Sequence, residues 1–383
     1  MLVAGIPIEF ILFGIMLLGI AFFGHNSMYI AIAGLISILT VKLLFSEEFN
    51  FIDHISHEWH ILLNLAGLLL GFAILTEYFI ESKLPDVMPD YLPDDWRGGF
   101  MLLVIVALIS CFLDNIAGAM IGAAIAVRVF NNKLHIGYIA SLVAASNAGG
   151  AGSVLGSTTT TMMWIAGIPI ETFFKAYIGS VVAIAISGVI ASFQQDRYNR
   201  IQKDSTPGVV VKWNKIVVVL CILIGAITCN VLFDSPALGV WIVIILASFF
   251  VQTNWKELKK AVPGTLFLVA LVFSASLMPV QYLPAPSWQS TFTFGWISSV
   301  FDNIPLIKIT IDQKGYDWGL LAYAVAYGGS ITWFGSSAGV AVCNEIPEAK
   351  STIRWLLGGW HVALAYIAGF FALLWIGGWK VGA

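Results

Sequence analysis

Apolar residues run with little interruption through most of this chain, and charged residues collect in short stretches between the runs. The runs at 6–24, 27–45 and 61–80 each reach about the 18 or more residues expected of a helix crossing a bilayer. A polar loop follows from Glu81 to Arg97, and then an apolar run over 99–130 interrupted by "LDNIAG". The next run, 137–168, is interrupted by "NAGGAGSVLGSTTTT", and one more span is predicted at 172–193. The charged stretch over 194–213 reads as a cytoplasmic linker. Beyond it the plan repeats, with spans at 214–233, 236–251 and 262–280 and a run at 288–310 interrupted by "FDNIPL". A run at 317–344 interrupted by "AYGGSITWFGSSAGV" and a last span at 355–377 complete it.

The two glycine stretches align. Gly149, Gly150, Gly156 and Ser157 fall on Gly328, Gly329, Gly335 and Ser336 at a constant offset of 179 positions. Segment length separates two kinds of interruption. Gly99 to Leu113 makes a helix of about 22 Å, too short for a hydrocarbon core of about 30 Å. The runs 99–130 and 288–310 therefore read as re-entrant hairpins with Asp114-Asn115 and Asp302-Asn303 at their tips, whereas 137–168 and 317–344 read as crossing helices broken midway. The fold expected is an all-α polytopic membrane protein with about ten crossings, two hairpins and two broken helices. The first repeat covers 1–193 and the second 214–383. Five crossings per repeat is an odd number, so the second repeat starts on the opposite side, which makes an inverted repeat of the kind common in secondary transporters.

Composition agrees: 59% of residues are hydrophobic and 11% charged, against about 25% charged in soluble domains. The predicted topology leaves only Lys42, Lys175, Lys308, Lys314 and Lys380, of 19 Lys and Arg, on one side. The richer side is cytoplasmic by the positive-inside rule, which puts both termini outside a cell inner or plasma membrane. The N-terminus lacks the basic region of a cleavable signal, so its first run is expected to be a span. Four cysteines (Cys111, Cys221, Cys229, Cys343) lie in apolar segments without zinc-type spacing and read as core filler.

Asp114 and Asp302 carry the sharpest chemical signal. A carboxylate at the centre of a membrane helix costs about 2.5–3.5 kcal/mol on insertion scales and usually marks an ion or proton path. Asn115 and Asn303 add hard amide oxygens. The plainer reading of each Asp is a helix N-cap. The glycines (Gly149, Gly150, Gly328, Gly329) permit non-helical backbone. Ser153, Ser157, Thr158, Thr159, Ser330, Thr332, Ser336 and Ser337 supply hydroxyls, of which at least half are expected merely to bond carbonyls of their own helix. Asn147 joins the candidate set although Ala326 stands at its counterpart. Lys308 either snorkels to the outer interface or sits as an internal ammonium near Asp302, modulating the charge there. "DHISHEWH" places His54, His57 and His60 where a divalent metal could gather them, but a wet interfacial segment accounts for the stretch more simply. Neither a His-Glu-x-x-His nor a P-loop motif occurs in the sequence, and neither an enzyme nor a cofactor is expected.

The phrases "DNIAGAMIGAAIAV", "ASNAGGAGSVLGSTTTTMMWI", "VFDNIPLIKI" and "AYGGSITWFGSSAGVAV" resemble the NhaD-type sodium/proton antiporters of the ion transporter superfamily, with arsenite, citrate and dicarboxylate transporters as more distant kin. The resemblance implies an inverted-repeat, two-hairpin fold and exchange of cytoplasmic Na⁺ or Li⁺ for H⁺. It also implies ion binding by Asp114, Asn115, Asp302, Asn303 and the hydroxyls of both glycine stretches, with Na⁺ at Asp114 and Asp302. Two positions depart from the family. Ser157 stands where a carboxylate is expected, and Lys308 lies in a usually apolar stretch. The chain is also expected to have fewer N-terminal spans than the family. A transporter of organic or inorganic oxyanions in the same fold is the alternative, favoured by Lys308, by Ser157 and by helix N-termini with free N–H groups. The expected partners are the lipid bilayer and small ions, with a homodimer as an option and no nucleic acid.

Overall fold

A computed structural model describes residues 2–3, 5–23, 26–45, 49–202 and 209–382. Apart from a two-residue antiparallel β ladder (β1, Leu2–Val3; β2, Ile6–Pro7), the described elements are helices. The first half contains α1 (Ile8–Phe22), α2 (Ser27–Phe45), α3 (Phe51–Glu81), α4 (Leu84–Val87), α5 (Trp96–Ser110), α6 (Asn115–Val129), α7 (Ile136–Gly150), α8 (Thr158–Ile165), α9 (Ile170–Phe173) and α10 (Ala176–Tyr198). The second contains α11 (Trp213–Phe233), α12 (Pro236–Ser248), α13 (Lys256–Ser276), α14 (Trp288–Ser298), α15 (Asn303–Gln313), α16 (Trp318–Gly328), α17 (Ser337–Glu345), α18 (Thr352–Gly358) and α19 (Trp360–Gly377). Both halves therefore run three helices, a helix pair joined at an Asp-Asn tip, a helix broken at a glycine stretch, and a closing helix.

Among the described residues, six segments are long and apolar enough to cross a membrane: α2, α3, the α9–α10 segment, α11, α13 and α19. Shorter apolar helices include α1, α5, α6 and α12. At 13 residues α12 spans only about 20 Å, short of the hydrocarbon thickness.

The helices pack as two groups. α1–α3 associate with α11–α13, while the hairpins and broken helices surround α10 and α19. The groups meet where α13 packs on α15 and α3 packs on α8. Within the second group the halves cross over, with α6 against α17 and α8 against α15.

Two expectations are corrected. The stretch from Asp53 to His60 is part of α3, not an interfacial loop before it. Asn50 caps the helix by accepting from the Ile52 amide at 3.0 Å, and Asp53 suits the positive end of the first turn. The polar residues then find partners on neighbouring helices: His54 Nε2 meets Ser276 Oγ at 2.9 Å, and Glu58 meets a lysine described below. Most of the stretch stays exposed, and only Glu58 is buried, which apolar periodicity could not show. Second, the start of the 194–213 stretch is helix. α10 continues to Tyr198 because Gln195 is buried there, accepting from the His135 amide at 2.7 Å and donating to the Lys133 carbonyl at 2.9 Å. Residues 203–208 of that stretch lie outside the described residues.

Candidate functional site

The chain reverses after α5 and re-enters helix at Asn115; it does the same between α14 and Asn303. In both turns the Asp is the N-cap. Asp114 Oδ2 accepts from the Ile116 amide at 3.2 Å, and Asp302 Oδ1 accepts from the Ile304 amide at 3.1 Å. Capping accounts for one oxygen of each carboxylate. The other oxygen faces a broken helix. Asp114 Oδ1 accepts from Thr158 Oγ1 at 3.5 Å, and Asp302 Oδ2 accepts from Ser337 Oγ at 2.5 Å. Thr158 and Ser337 each open the helix that follows a glycine stretch. They are themselves counterparts at the offset of 179 positions.

The match extends further. Ser153 Oγ donates to the Cys111 carbonyl at 2.5 Å, and its counterpart Thr332 donates through Oγ1 to the Ser299 carbonyl. A Cβ on Gly149 would overlap the Ala107 carbonyl oxygen on α5, and one on Gly328 would overlap the Gly295 carbonyl oxygen on α14. The paired glycines thus let each broken helix press its backbone onto the outer arm of a hairpin. Gly150 and Gly329 face the Gly156 and Gly335 carbonyls across their own breaks. Both stretches therefore build the same piece of structure: a break that presents one hydroxyl to one tip carboxylate.

The centre is not symmetric. Asn147, fully buried on α7, accepts through Oδ1 from Asn115 Nδ2 at 2.7 Å. Its own amide nitrogen donates to Ser330 Oγ at 2.8 Å and to Ser336 Oγ at 3.1 Å, both in the second glycine stretch. Ala326 can do none of this, so one asparagine ties the first tip to the second break. Ser146 Oγ adds a bond to the Asn115 carbonyl at 2.5 Å and shares a hydrogen bond with Ser110 Oγ at 2.8 Å. Asn303 is buried behind its Asp.

Other candidates serve the backbone or each other. Ser157 Oγ bonds Thr159 Oγ1 at 2.8 Å, and Ser336 Oγ also accepts from the Gly339 amide at 3.2 Å. Of the two readings of Lys308, snorkelling does not hold: it is an internal ammonium, 1% exposed, but its hydrogen bonds go to Glu58 at 2.9 Å and Asp312 at 2.7 Å, while Asp302 is bonded by Ser337 and the Ile304 amide. Sequence reasoning missed both carboxylate partners. Asp312 was legible as an i, i+4 partner on a helix, whereas Glu58 lies 250 positions away and had no local signal. The three histidines do not converge. His54 bonds Ser276, the His60 carbonyl accepts from Asn64 at 3.0 Å, and His57 is exposed. Among the described residues no three His, Cys, Asp or Glu side chains gather as a metal site.

Four half-helix N-termini, those of α6, α8, α15 and α17, thus meet around two half-buried carboxylates, two buried asparagines beside them and a third joining the halves. Each tip has one carboxylate oxygen committed to its cap and one shared with a hydroxyl. A hydroxyl that turns its proton away offers an oxygen to a cation, so each tip can exchange a hydrogen bond for a small hard ion.

Comparison with known proteins points the same way. No family model matches the chain. It is 24% identical to Sodium/proton antiporter 1 of Arabidopsis thaliana over 71% of its own length and 52% of that protein, so it spans about half the length of that relative. It is 25% identical to the Na⁺/H⁺ antiporter NhaD of Halomonas elongata over 80% of this chain and 74% of the relative. The same identity holds to NhaD of Alkalimonas amylolytica, over 90% and 84% of the two chains. The chain therefore resembles NhaD-type sodium/proton antiporters over most of its length, well beyond the Asp-Asn tips and glycine stretches that first carried the likeness.

Proposed function

We propose that this chain is a secondary active transporter of a cell membrane, exchanging Na⁺ or Li⁺ for H⁺. The observation that carries the reading is the duplicated meeting of a tip carboxylate with a break hydroxyl, Asp114 with Thr158 and Asp302 with Ser337. Curated relatives named as antiporters support it. Ionised Asp114 and Asp302 bind the cation, with Asn115, Asn303 and the break hydroxyls completing an oxygen shell. Protonated, they release it. One site that holds either the cation or the proton, but not both, couples the two fluxes. The two halves act as an inverted repeat, so one tip opens toward each side of the membrane and access alternates around the fixed pair.

The oxyanion alternative loses its main support. Lys308 is bound by two carboxylates, and the tip N-termini are capped by their own aspartates. Purified protein in liposomes should move H⁺ when a Na⁺ or Li⁺ gradient is imposed. No cation-dependent pH change anywhere between about pH 6 and 9 would sink the proposal.

A further inference from the structure

A second group of charges is buried outside the proposed ion site. Lys308 lies on α15 five residues past Asn303, about 7–8 Å along the helix from the tip. Its ammonium donates to Glu58 Oε1 on α3 at 2.9 Å and to Asp312 Oδ1, one turn further toward the mouth of the hairpin, at 2.7 Å. Glu58 is 9% exposed, and its other oxygen, Oε2, is buried with no hydrogen-bond partner. Two ionised carboxylates and one ammonium leave a net negative charge. Only Asp312 is partly exposed, so such a charge is costly, and the unpaired buried oxygen of Glu58 adds to the cost.

The neighbouring charges do not remove it. His54, one turn before Glu58 on α3, has its Nε2 engaged by Ser276 of α13. Lys42 of α2 sits over the Phe49 ring at 5.0 Å, and His57 and Lys314 are exposed. A metal cation suits the pocket poorly, because an ammonium already lies between the two carboxylates.

We propose that Glu58, Lys308 and Asp312 form a proton-binding site separate from the two hairpin tips. It takes one proton from solution and is neutral when loaded. The proton adds to the carboxylate pair, with Glu58 Oε2 the oxygen that has no other partner, and no bond is broken. The site lies on α15 between the mouth of the second hairpin and its tip, with hydrogen-bond partners separate from those of Asp302. Neither its chemistry nor its test depends on which ion the tips carry.

The test is the pH dependence of thermal stability of purified protein, measured without Na⁺ in a D114N/D302N background so that the tip carboxylates do not titrate. The loaded triad is the stable form, so Tm should fall by about 2–4 °C as pH rises and the triad loses its proton. Glu58→Gln and Asp312→Asn each make the triad neutral without a proton, so either should abolish the step. Having both keeps the test usable if one variant does not fold. Lys308→Met removes the ammonium and should move the step to higher pH, and His54→Gln should leave it in place. A step that survives both Glu58→Gln and Asp312→Asn, that disappears with His54→Gln, or that fails to move with Lys308→Met overturns the proposal.

Discussion

Replacing Asn147 with alanine should damage the protein more than its size implies. The side chain is fully buried and makes three hydrogen bonds, to Asn115, Ser330 and Ser336. Without it the two serine hydroxyls can rotate toward other acceptors, but Asn115 Nδ2 is fixed by the start of α6 and loses its acceptor. A buried donor left unpaired costs about 1–3 kcal/mol, and the small cavity adds on the order of 1 kcal/mol, for a total of roughly 2–4 kcal/mol. For a chain of 383 residues that corresponds to a fall of roughly 3–5 °C in Tm, readable by thermal-shift fluorescence in detergent. Asn147→Asp keeps an acceptor for Asn115 and lets both hydroxyls donate instead, so it should recover part of the loss. The reasoning is refuted if Asn147→Ala melts within about 1 °C of the parent protein, because a stranded buried donor cannot be that cheap.

Gly149→Ala and Gly328→Ala should each destabilise by about 1–3 kcal/mol, since the added methyl meets a backbone carbonyl that cannot swing away; an unchanged melting curve for both would contradict the close packing of break on hairpin. Ser337→Ala should weaken Na⁺ binding more than Thr158→Ala, because the Ser337 hydroxyl is at 2.5 Å from its Asp and the Thr158 hydroxyl at 3.5 Å; Na⁺ titrations of the two variants compare them directly. On the proposal that H⁺ and Na⁺ compete for the same carboxylates, the apparent Na⁺ affinity should fall as pH falls, by up to about tenfold per unit for each competing proton, and an affinity flat across the acid limb would argue for separate sites.

The sequence made the local pieces of the site readable and hid the connections between them. Asp114-Asn115 and Asp302-Asn303 stood out because carboxylates rarely interrupt apolar runs, and the breaks stood out because four residues repeat at one offset. Both features fall where hairpin tips and helix breaks form. Which hydroxyl meets which carboxylate depends on packing between elements. Eight hydroxyls were candidates, but only Thr158 and Ser337 reach the tip carboxylates. Asn147 was visible as an asymmetry, yet its bonds to Ser330 and Ser336 lie across the two halves. Glu58 was missed for a related reason. Its stretch is polar, which by composition resembles an interfacial segment, and only the position of Lys308 explains why Glu58 itself is buried there.

The central claim is that Asp114 and Asp302 bind Na⁺ and H⁺ in competition. Adding Na⁺ or Li⁺ to purified protein in weakly buffered detergent solution should therefore release protons, followed by a pH-sensitive dye. The parent protein should release them, Asp114→Asn and Asp302→Asn should each release fewer, and the double variant should release none. Release that is undiminished in the double variant would place the exchange elsewhere and contradict the account.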